Sequence, residues 1–363
     1  MLIHALSSKA QTEALHHLPM ACHLDAVDET GMQMAAAGWR IQTHDAPDLP
    51  HKVRLSPRWS ELVSEFQTLG EVKASTSGAH SATDASGIFG GFRINGAKEA
   101  KIARSMPGPG IDVRYFFQHW ASGFAVEDAN AADGFHRSLQ FFDAAGVLLH
   151  TVSLSDRACG ASYHALVKRF AADLPCERDE DALAQLSRPA TIRRHLDVQA
   201  FCREWIGMRE TCEFHDLLSR HGLSRLDALK LAPLNYAERI HVACVHEILS
   251  LSSQVGMQIR VLAGNRGAIQ IYTGALQHIA VADAWISAED RRFCLQLRED
   301  QIGSAWLVRK PTSAGLVHSI ELFDNAAAPI AMLFGKAASG RPEPCEWRHL
   351  LSNLLTDFKT CVE

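Results

Sequence analysis

One stretch of this 363-residue chain occurs twice, and this internal repeat limits the possible folds more than any other feature. The segment Ser138–Ala145 (SLQFFDAA) aligns with Ser319–Ala326 (SIELFDNA), which lies 181 positions further along (319 − 138). Val113–Tyr115 and Leu295–Leu297 align at a shift of 182 (295 − 113). Self-similarity at a nearly constant spacing indicates a duplicated architecture, so the two halves of the chain should fold alike.

The repeated blocks have the pattern of antiparallel hairpins. Apolar residues alternate along Ser319–Phe323, an Asp-x-Ala turn follows, and a second apolar stretch comes next, at Val147–Leu154 in the first half and Pro329–Phe334 in the second. Helical spacing of apolar residues occurs in Arg58–Leu69, Ala161–Phe170, Val198–Met208, Ala237–Gln254 and Glu346–Phe358. The predicted fold is α+β, a tandem duplication in which each half (1–180 and 181–363) is an antiparallel sheet flanked by helices.

Two segments are predicted to lack regular structure. Pro175–Pro189 is charged and bounded by prolines, which is typical of a linker and suggests the junction of the two halves. Ser75–Gly110 is rich in Ser, Gly and Ala, and we expect a mobile loop there.

Composition excludes several classes of protein. The chain has 36 Lys and Arg against 41 Asp and Glu, without basic blocks, which argues against a nucleic-acid partner. No apolar run reaches the roughly 18 residues of a membrane helix, and the N-terminal region does not resemble a signal peptide, so we expect a cytoplasmic protein that is not membrane-embedded. Nine dispersed cysteines without a Cys-x-x-Cys pair suit a reducing compartment. Nucleotide-binding glycine motifs and the Gly-x-Ser-x-Gly elbow of hydrolases are absent from the sequence.

Cys212 and His215 are the candidate metal ligands. They lie three residues apart in Trp205–Leu218, which is predicted to be helical, so both should project from one face. A thiolate or an imidazole on that face could ligate one metal ion. The chain's 19 histidines include no His-x-His or His-x-x-x-His pair, which disfavours a zinc hydrolase.

Four further motifs follow one another in the second half: Gly264–Gly274 (GNRGAIQIYTG), Leu295–Asp300 (LQLRED), Trp306–Thr312 (WLVRKPT) and Phe334–Lys336 (FGK). Together they resemble the HemS/ChuS/PhuS family of cytoplasmic haem-utilisation proteins. The similarity extends into the first half through Ile111–Trp120 and Arg137–Ala145. This family is itself a tandem duplication, in agreement with the repeat.

The resemblance implies that haem b (iron protoporphyrin IX) binds between helices and the sheet of the C-terminal half, with a helix histidine as the proximal iron ligand. This chain has Cys212 at that position, and His215 stands where some members carry an additional histidine. We therefore expect His215 as the axial ligand first and Cys212 second, because a thiolate ligates iron only after losing its proton.

Other positions of the haem pocket are implied by the same resemblance. Arg114 matches an arginine on the distal side of the iron. The N-terminal half, which is otherwise expected to be structural, would contribute this residue to the pocket. Arg225 and Lys310 match cations that meet the haem propionates. Phe116 and Phe334 match residues packed on the porphyrin. Gln296 replaces a histidine of the family and Ala337 a basic residue, and both changes alter the expected pocket.

The implied function is haem binding in haem uptake and iron acquisition, with transfer or oxidative degradation of imported haem. The sequence leaves open whether the protein is an enzyme, which would then be a haem oxygenase-like one. Expected partners are haem, a haem importer on its cytoplasmic side or a downstream haem oxygenase. The alternative is a degenerate, non-catalytic member that acts as a tetrapyrrole-binding, regulatory or interaction module, suggested by Cys212, Gln296 and Ala337.

Overall fold

The computed structural model describes residues 51–96, 102–106, 108, 110–128, 136–172, 196–337 and 341–360. The predicted linker Pro175–Pro189 lies outside the described residues. The strands are β1 His51–Arg54, β2 Gly70–Ser77, β3 Ser81–Ile88, β4 Phe92–Asn95, β5 Ile102–Ser105, β6 Asp112–Phe116, β7 Ser122–Asp128, β8 His136–Phe142, β9 Leu148–Ala158, β10 Ala237–Ile240, β11 Ile259–Gly264, β12 Ala268–Gly274, β13 His278–Ala282, β14 Trp285–Glu289, β15 Phe293–Arg298, β16 Ile302–Thr312, β17 Gly315–Asp324 and β18 Pro329–Gly335. The α-helices are α1 Trp59–Ser64, α2 Gly160–Phe170, α3 Val198–Ile206, α4 Glu213–His221, α5 Arg225–Lys230, α6 Cys244–Gln254 and α7 Cys345–Thr360.

The strands form two antiparallel nine-stranded sheets that exchange strands between the halves. The first sheet has the order β1-β7-β8-β9-β2-β3-β15-β14-β13, and the second has the order β10-β16-β17-β18-β11-β12-β6-β5-β4. Each sheet thus contains six strands of one half and three of the other. The predicted α+β fold with duplicated halves is confirmed, and the exchange places β6 of the first half in the sheet of the second.

The inner faces of the two sheets pack against each other. Tyr115 of β6 lies in a core with β2, β8 and the helices α1 and α2. Ile320 of β17 lies in a second core with β14, β15 and the helices α6 and α7. Since side chains alternate along a strand, Arg114 and Glu321, the neighbours of these two residues, lie on the opposite, outer face of the second sheet. Of the described helices, none is long and apolar enough to span a membrane.

Two segments fold differently from prediction. Ser75–Gly110, predicted to be a mobile loop, contains β3, β4 and β5. Strand β3 pairs with the distant β15, whereas β4 and β5 pair with each other and with β6 at the edge of the second sheet. Ala237–Gln254, predicted to be one helix, is divided into β10 and α6, because Ala237–Ile240 pairs with β16. In both cases tertiary pairing overrides the local pattern.

The glycine-rich motif at Gly264–Gly274 connects the two sheets. The Asn265 side-chain amide donates hydrogen bonds to the carbonyls of Ser77 (2.9 Å) and Leu149 (2.7 Å), both in the first sheet. Its oxygen accepts from the backbone amides of Gly267 and Ala268. This motif, one of those on which the resemblance rests, therefore has a structural role.

Gly335→Ala is expected to lower the free energy of unfolding by about 1–3 kcal/mol. A Cβ at Gly335 would lie 2.6 Å from Cγ of Trp347, a fully buried side chain of α7 that cannot move without disturbing the core. Denaturant unfolding measures the change. Gly91→Ala is the matched control, because the nearest atoms to its Cβ would be 3.8 Å away, and an equal loss in both variants would contradict the steric explanation.

Candidate functional site

Within the described residues, helices cover one end of the outer face of the second sheet. Helices α3, α4 and α5 form a third core with Val308 of β16 and Phe323 of β17. Further along the same face, the apolar side chains are only partly buried, and they form what we call the apolar floor: Phe116, Leu262, Ile269, Met332 and Phe334. These residues belong to neighbouring strands, so the floor is a broad apolar surface beside the helices.

The candidate ligands lie where α4 begins. Trp205–Leu218 is not one helix as predicted: α3 ends at Ile206 and α4 begins at Glu213. Cys212 is the N-cap residue of α4, and the backbone amide of His215 donates to its carbonyl at 3.3 Å. Both side chains are exposed, whereas Phe214 of the same turn is buried.

Cys212 and His215 differ in their surroundings. The Cys212 thiol donates a hydrogen bond to the Glu210 carboxylate at 3.3 Å. This hydrogen bond, together with partial burial and the negative charges of Glu210 and Glu213, raises the pKa of Cys212. The thiol therefore stays protonated at neutral pH. The His215 ring makes no hydrogen bond or ion pair within the described part of the chain, and its nitrogens are accessible to a ligand.

Arg114 lies on β6, opposite Ile269 of β12, and points to the outer face. Burial lowers the pKa of Arg114, as do the nearby cations Arg104 and Arg260, while Asp112 and, once it is deprotonated, Cys212 act in the opposite direction. Arg114 shares its face of β6 with Phe116 and so borders the apolar floor, within electrostatic range of Cys212.

Arg225, Lys310 and Glu321 form a buried triad behind α4. Arg225 donates two hydrogen bonds to Glu321, from Nε at 2.5 Å and from Nη2 at 2.8 Å. Lys310 Nζ lies 2.5 Å from the same carboxylate, and its ammonium and the Arg225 guanidinium both stack on the Phe214 ring. Two cations and one anion leave a net charge of +1.

Burial sets the protonation of this triad. Glu321 is 0% exposed and Lys310 is 2% exposed. Burial would raise the pKa of Glu321, but the two cations hold it well below its ordinary value. Burial lowers the pKa of Lys310 to about 8, against the opposing effect of Glu321. Since the Arg225 side chain is 22% exposed, it is the cation of the triad that a ligand on the outer face could reach.

Gln296 lies apart from the other predicted site residues. It belongs to β15 of the first sheet, between Ala82 and Ser287 on the adjacent strands. The repeat explains this location, because Gln296 is the counterpart of Arg114 at the shift of 182. Asp128 is the counterpart of Lys310 at the same shift (310 − 182), and Gln140 is the counterpart of Glu321 at the shift of 181 (321 − 181), so the first half has no equivalent of the triad.

Two residues of the site were not predicted from the sequence. Glu321 is the carboxylate that joins Arg225 and Lys310, and Glu210 holds the Cys212 thiol. A signal for Glu321 was present, since a charged residue stands among the apolar residues of SIELFD while the other copy of the repeat has Gln140. For Glu210 no comparable signal exists.

A separate cleft, of about 530 Å³, lies between α7 and the inner side of β16 and β17. Its described lining includes Arg309, His318 and Arg348 over an apolar base. None of the predicted site residues borders it. The chemistry predicted from the sequence therefore belongs to the open outer face and not to this cleft.

Comparison with known proteins agrees with the duplicated fold. Residues 39–170 and 222–354 each match the family model described as the haemin-degrading HemS.ChuX domain. The hemin transport proteins HemS of Yersinia enterocolitica and HmuS of Yersinia pestis are each 30% identical to this chain over 312 residues, covering 86% of either sequence.

Solved structures show the same relationship. The Escherichia coli O157:H7 heme degrading enzyme ChuS superposes with a TM-score of 0.74 at 30% identity, covering 84% of this chain and 87% of that one. Apo-PhuS, a heme-binding protein from Pseudomonas aeruginosa, superposes with a TM-score of 0.73 at 30% identity, covering 83% and 86%.

Proposed function

Because the chain belongs to the HemS/ChuS/PhuS family, whose domain matches both of its halves, we propose that it binds haem on the outer face of the second sheet and serves haem uptake. One observation carries this proposal: a partly buried apolar floor lies beside two potential iron ligands, with an arginine near them. The second half would hold the main site, and the first half would contribute Arg114 through the exchanged strand β6.

The residues present suit an iron porphyrin such as haem b. A flat macrocycle needs a broad apolar surface, which the floor around Phe116 and Phe334 provides. Iron needs a nitrogen or sulfur donor, which His215 or Cys212 at the start of α4 would provide. Carboxylates that leave water need charge-assisted partners, and Arg225 is the accessible cation of the triad.

The protonation of the Cys212 thiol determines the order of preference between the two candidate iron ligands. His215 would ligate iron as a neutral imidazole, without first losing a hydrogen-bond partner. Cys212 would have to lose both its proton and its hydrogen bond to Glu210 before its sulfur could bind. We therefore rank His215 as the axial ligand and Cys212 as the second choice, which becomes competitive at alkaline pH.

The triad would act on the propionates as a preorganised unit. Arg225 would contact a carboxylate directly, while Lys310 would contribute charge from behind it. Glu321 holds both cations in place, so little side-chain entropy is lost when a carboxylate arrives. On the other side of the ligand, Arg114 would supply a second positive charge.

Bound haem supplies the redox chemistry of any degradation, while the protein orients it and excludes water. Transfer and oxidative degradation both fit this arrangement. We propose that either takes place in the cytoplasm, after delivery by a haem importer or before transfer to a haem oxygenase. Thus the protein would be either a carrier or a haem-degrading enzyme.

Titration of ferric haem into the apo-protein is expected to give a shifted Soret band that saturates at one haem per chain. Addition of a reductant under air then separates the two activities: a carrier keeps the band, whereas a degrading enzyme loses it and forms a linear tetrapyrrole. A preparation that gives no shifted band would contradict haem binding and support the non-catalytic alternative.

A further inference from the structure

Three arginines stand side by side on the outer face of the second sheet. Arg93 of β4 is the direct cross-strand partner of Arg104 of β5, which is in turn the partner of Arg114 of β6. Directly opposed residues have their Cβ atoms about 4.5–5.5 Å apart, with side chains on the same face. We call this row the arginine strip. It runs from β4, at the edge of the sheet, to the apolar floor.

The strip has little compensating negative charge. Within the described ranges, none of its three guanidinium groups makes a hydrogen bond or an ion pair. Asp112 acts on Arg114 electrostatically, but its side chain accepts a hydrogen bond from Ser105. Like charges directly opposite each other on a sheet are destabilising, so this arrangement has an energetic cost that the fold itself does not require.

The first sheet, the duplicate of the second, shows that the fold does not require a row of like charges at this place. The counterparts of Arg93, Arg104 and Arg114 on the first sheet are Ala280, Ser287 and Gln296, which pair with one another in the same register. That row carries no charge. The three arginines therefore occur only on the sheet that also carries the apolar floor and the buried triad.

We infer that the arginine strip captures the porphyrin dicarboxylate electrostatically and guides it from the sheet edge onto the apolar floor. This inference rests on the proposed function. Arg225 is paired with Glu321 on β17, and Arg93 lies on β4, six strands away at about 4.8 Å per strand. Both propionates leave one edge of the macrocycle, so they cannot contact Arg225 and Arg93 at the same time. The exposed members Arg93 and Arg104 therefore act during approach, whereas Arg225 holds the final complex. A row of cations that leads into a site raises the association rate in a salt-dependent way.

The double variant Arg93→Gln/Arg104→Gln tests this inference in stopped-flow binding of ferric haem. We expect the association rate constant at low ionic strength to fall about 3–10-fold, with the dissociation rate constant unchanged. The salt dependence of association should weaken in the variant. Porphyrin dimethyl ester, which lacks both carboxylates, should associate equally fast with both proteins.

The matched control is Arg203→Gln/Arg291→Gln, which removes the same net charge from exposed positions on α3 and in the turn before β15. If the control slows association equally, the overall charge and not the strip is responsible, and the inference fails. Unchanged association, or a change confined to dissociation, also overturns it. Absence of haem binding by the unmodified protein would instead refute the proposed function.

Discussion

Glu321→Gln is expected to lower the free energy of unfolding by about 3–5 kcal/mol. The Glu321 carboxylate is fully buried and is the shared acceptor of Arg225, Lys310 and Ser319. Its neutralisation leaves the buried Lys310 and the partly buried Arg225 without a counter-ion. Lys310 can lose its proton more easily than Arg225, since burial already lowers the pKa of Lys310 to about 8. Deprotonation of Lys310 would remove one of the two unpaired charges, which limits the loss of stability to the range given above.

The same variant has a pH signature. Because the pKa of Glu321 in the folded protein lies well below its ordinary value of 4.5, its stabilising contribution is complete above pH 4.5. It is lost as the pH falls through the lower, folded-state pKa. The stability difference between the unmodified protein and the variant should therefore shrink as the pH falls below 4.5.

Urea unfolding at several pH values measures this difference. Glu61→Gln is the control, because Glu61 is 54% exposed and forms a surface ion pair with Arg58 at 3.4 Å. Exposed pairs of this kind contribute about 0–1 kcal/mol. A loss of less than 1 kcal/mol for Glu321→Gln, or a loss that grows in acid, would contradict a charge-paired triad.

Cys212→Ala/His215→Ala is expected to weaken haem binding by at least about 100-fold, or about 2.7 kcal/mol at 25 °C. Both donors at the start of α4 are then absent, and haem can bind only through the apolar floor and the cations. The Soret band of the variant should resemble that of unligated haem. Titration monitored by absorbance, with metal-free protoporphyrin IX in parallel, separates iron ligation from macrocycle packing.

The single variants identify the ligand. His215→Ala alone should reproduce most of the loss, and Cys212→Ala alone should change the affinity little near neutral pH, because the thiol is protonated and bonded to Glu210. His278→Ala, an exposed histidine on β13, is the control. An unchanged Soret band in the double variant, or a thiolate spectrum in the unmodified protein, would contradict this ranking.

Much of the fold was predictable because its signals are local. The correct element types followed from the repeat, from the alternating residues of Ser319–Phe323 and from the helical periodicity of Ala161–Phe170. Both periodicities depend only on neighbours along the chain. Ser75–Gly110 was wrongly predicted because its small residues have weak propensities. Its strand β3 pairs with β15, more than 200 residues away, and β4 and β5 extend the second sheet from β6, which no local pattern reveals.

The candidate site was predicted residue by residue but not as an arrangement. Arg225 and Lys310 were expected as two cations that meet the haem propionates, and the structure joins them through Glu321. Gln296 was expected in the same pocket as Arg114, and the structure locates it on the other sheet. Such relations depend on side chains that are far apart in sequence, so a motif cannot report them.

The sequence by itself determined the duplication, the α+β class and the polar groups proposed for the site: the imidazole of His215, the thiol of Cys212, and the cations Arg114, Arg225 and Lys310. Only the tertiary structure decided which of these groups share a face. The exchange of three strands brings Arg114 from the first half into the sheet that carries Lys310 in the second. The physical reason is that strand pairing is a long-range interaction, whose register is selected by burial of whole sheet faces and not by neighbouring residues.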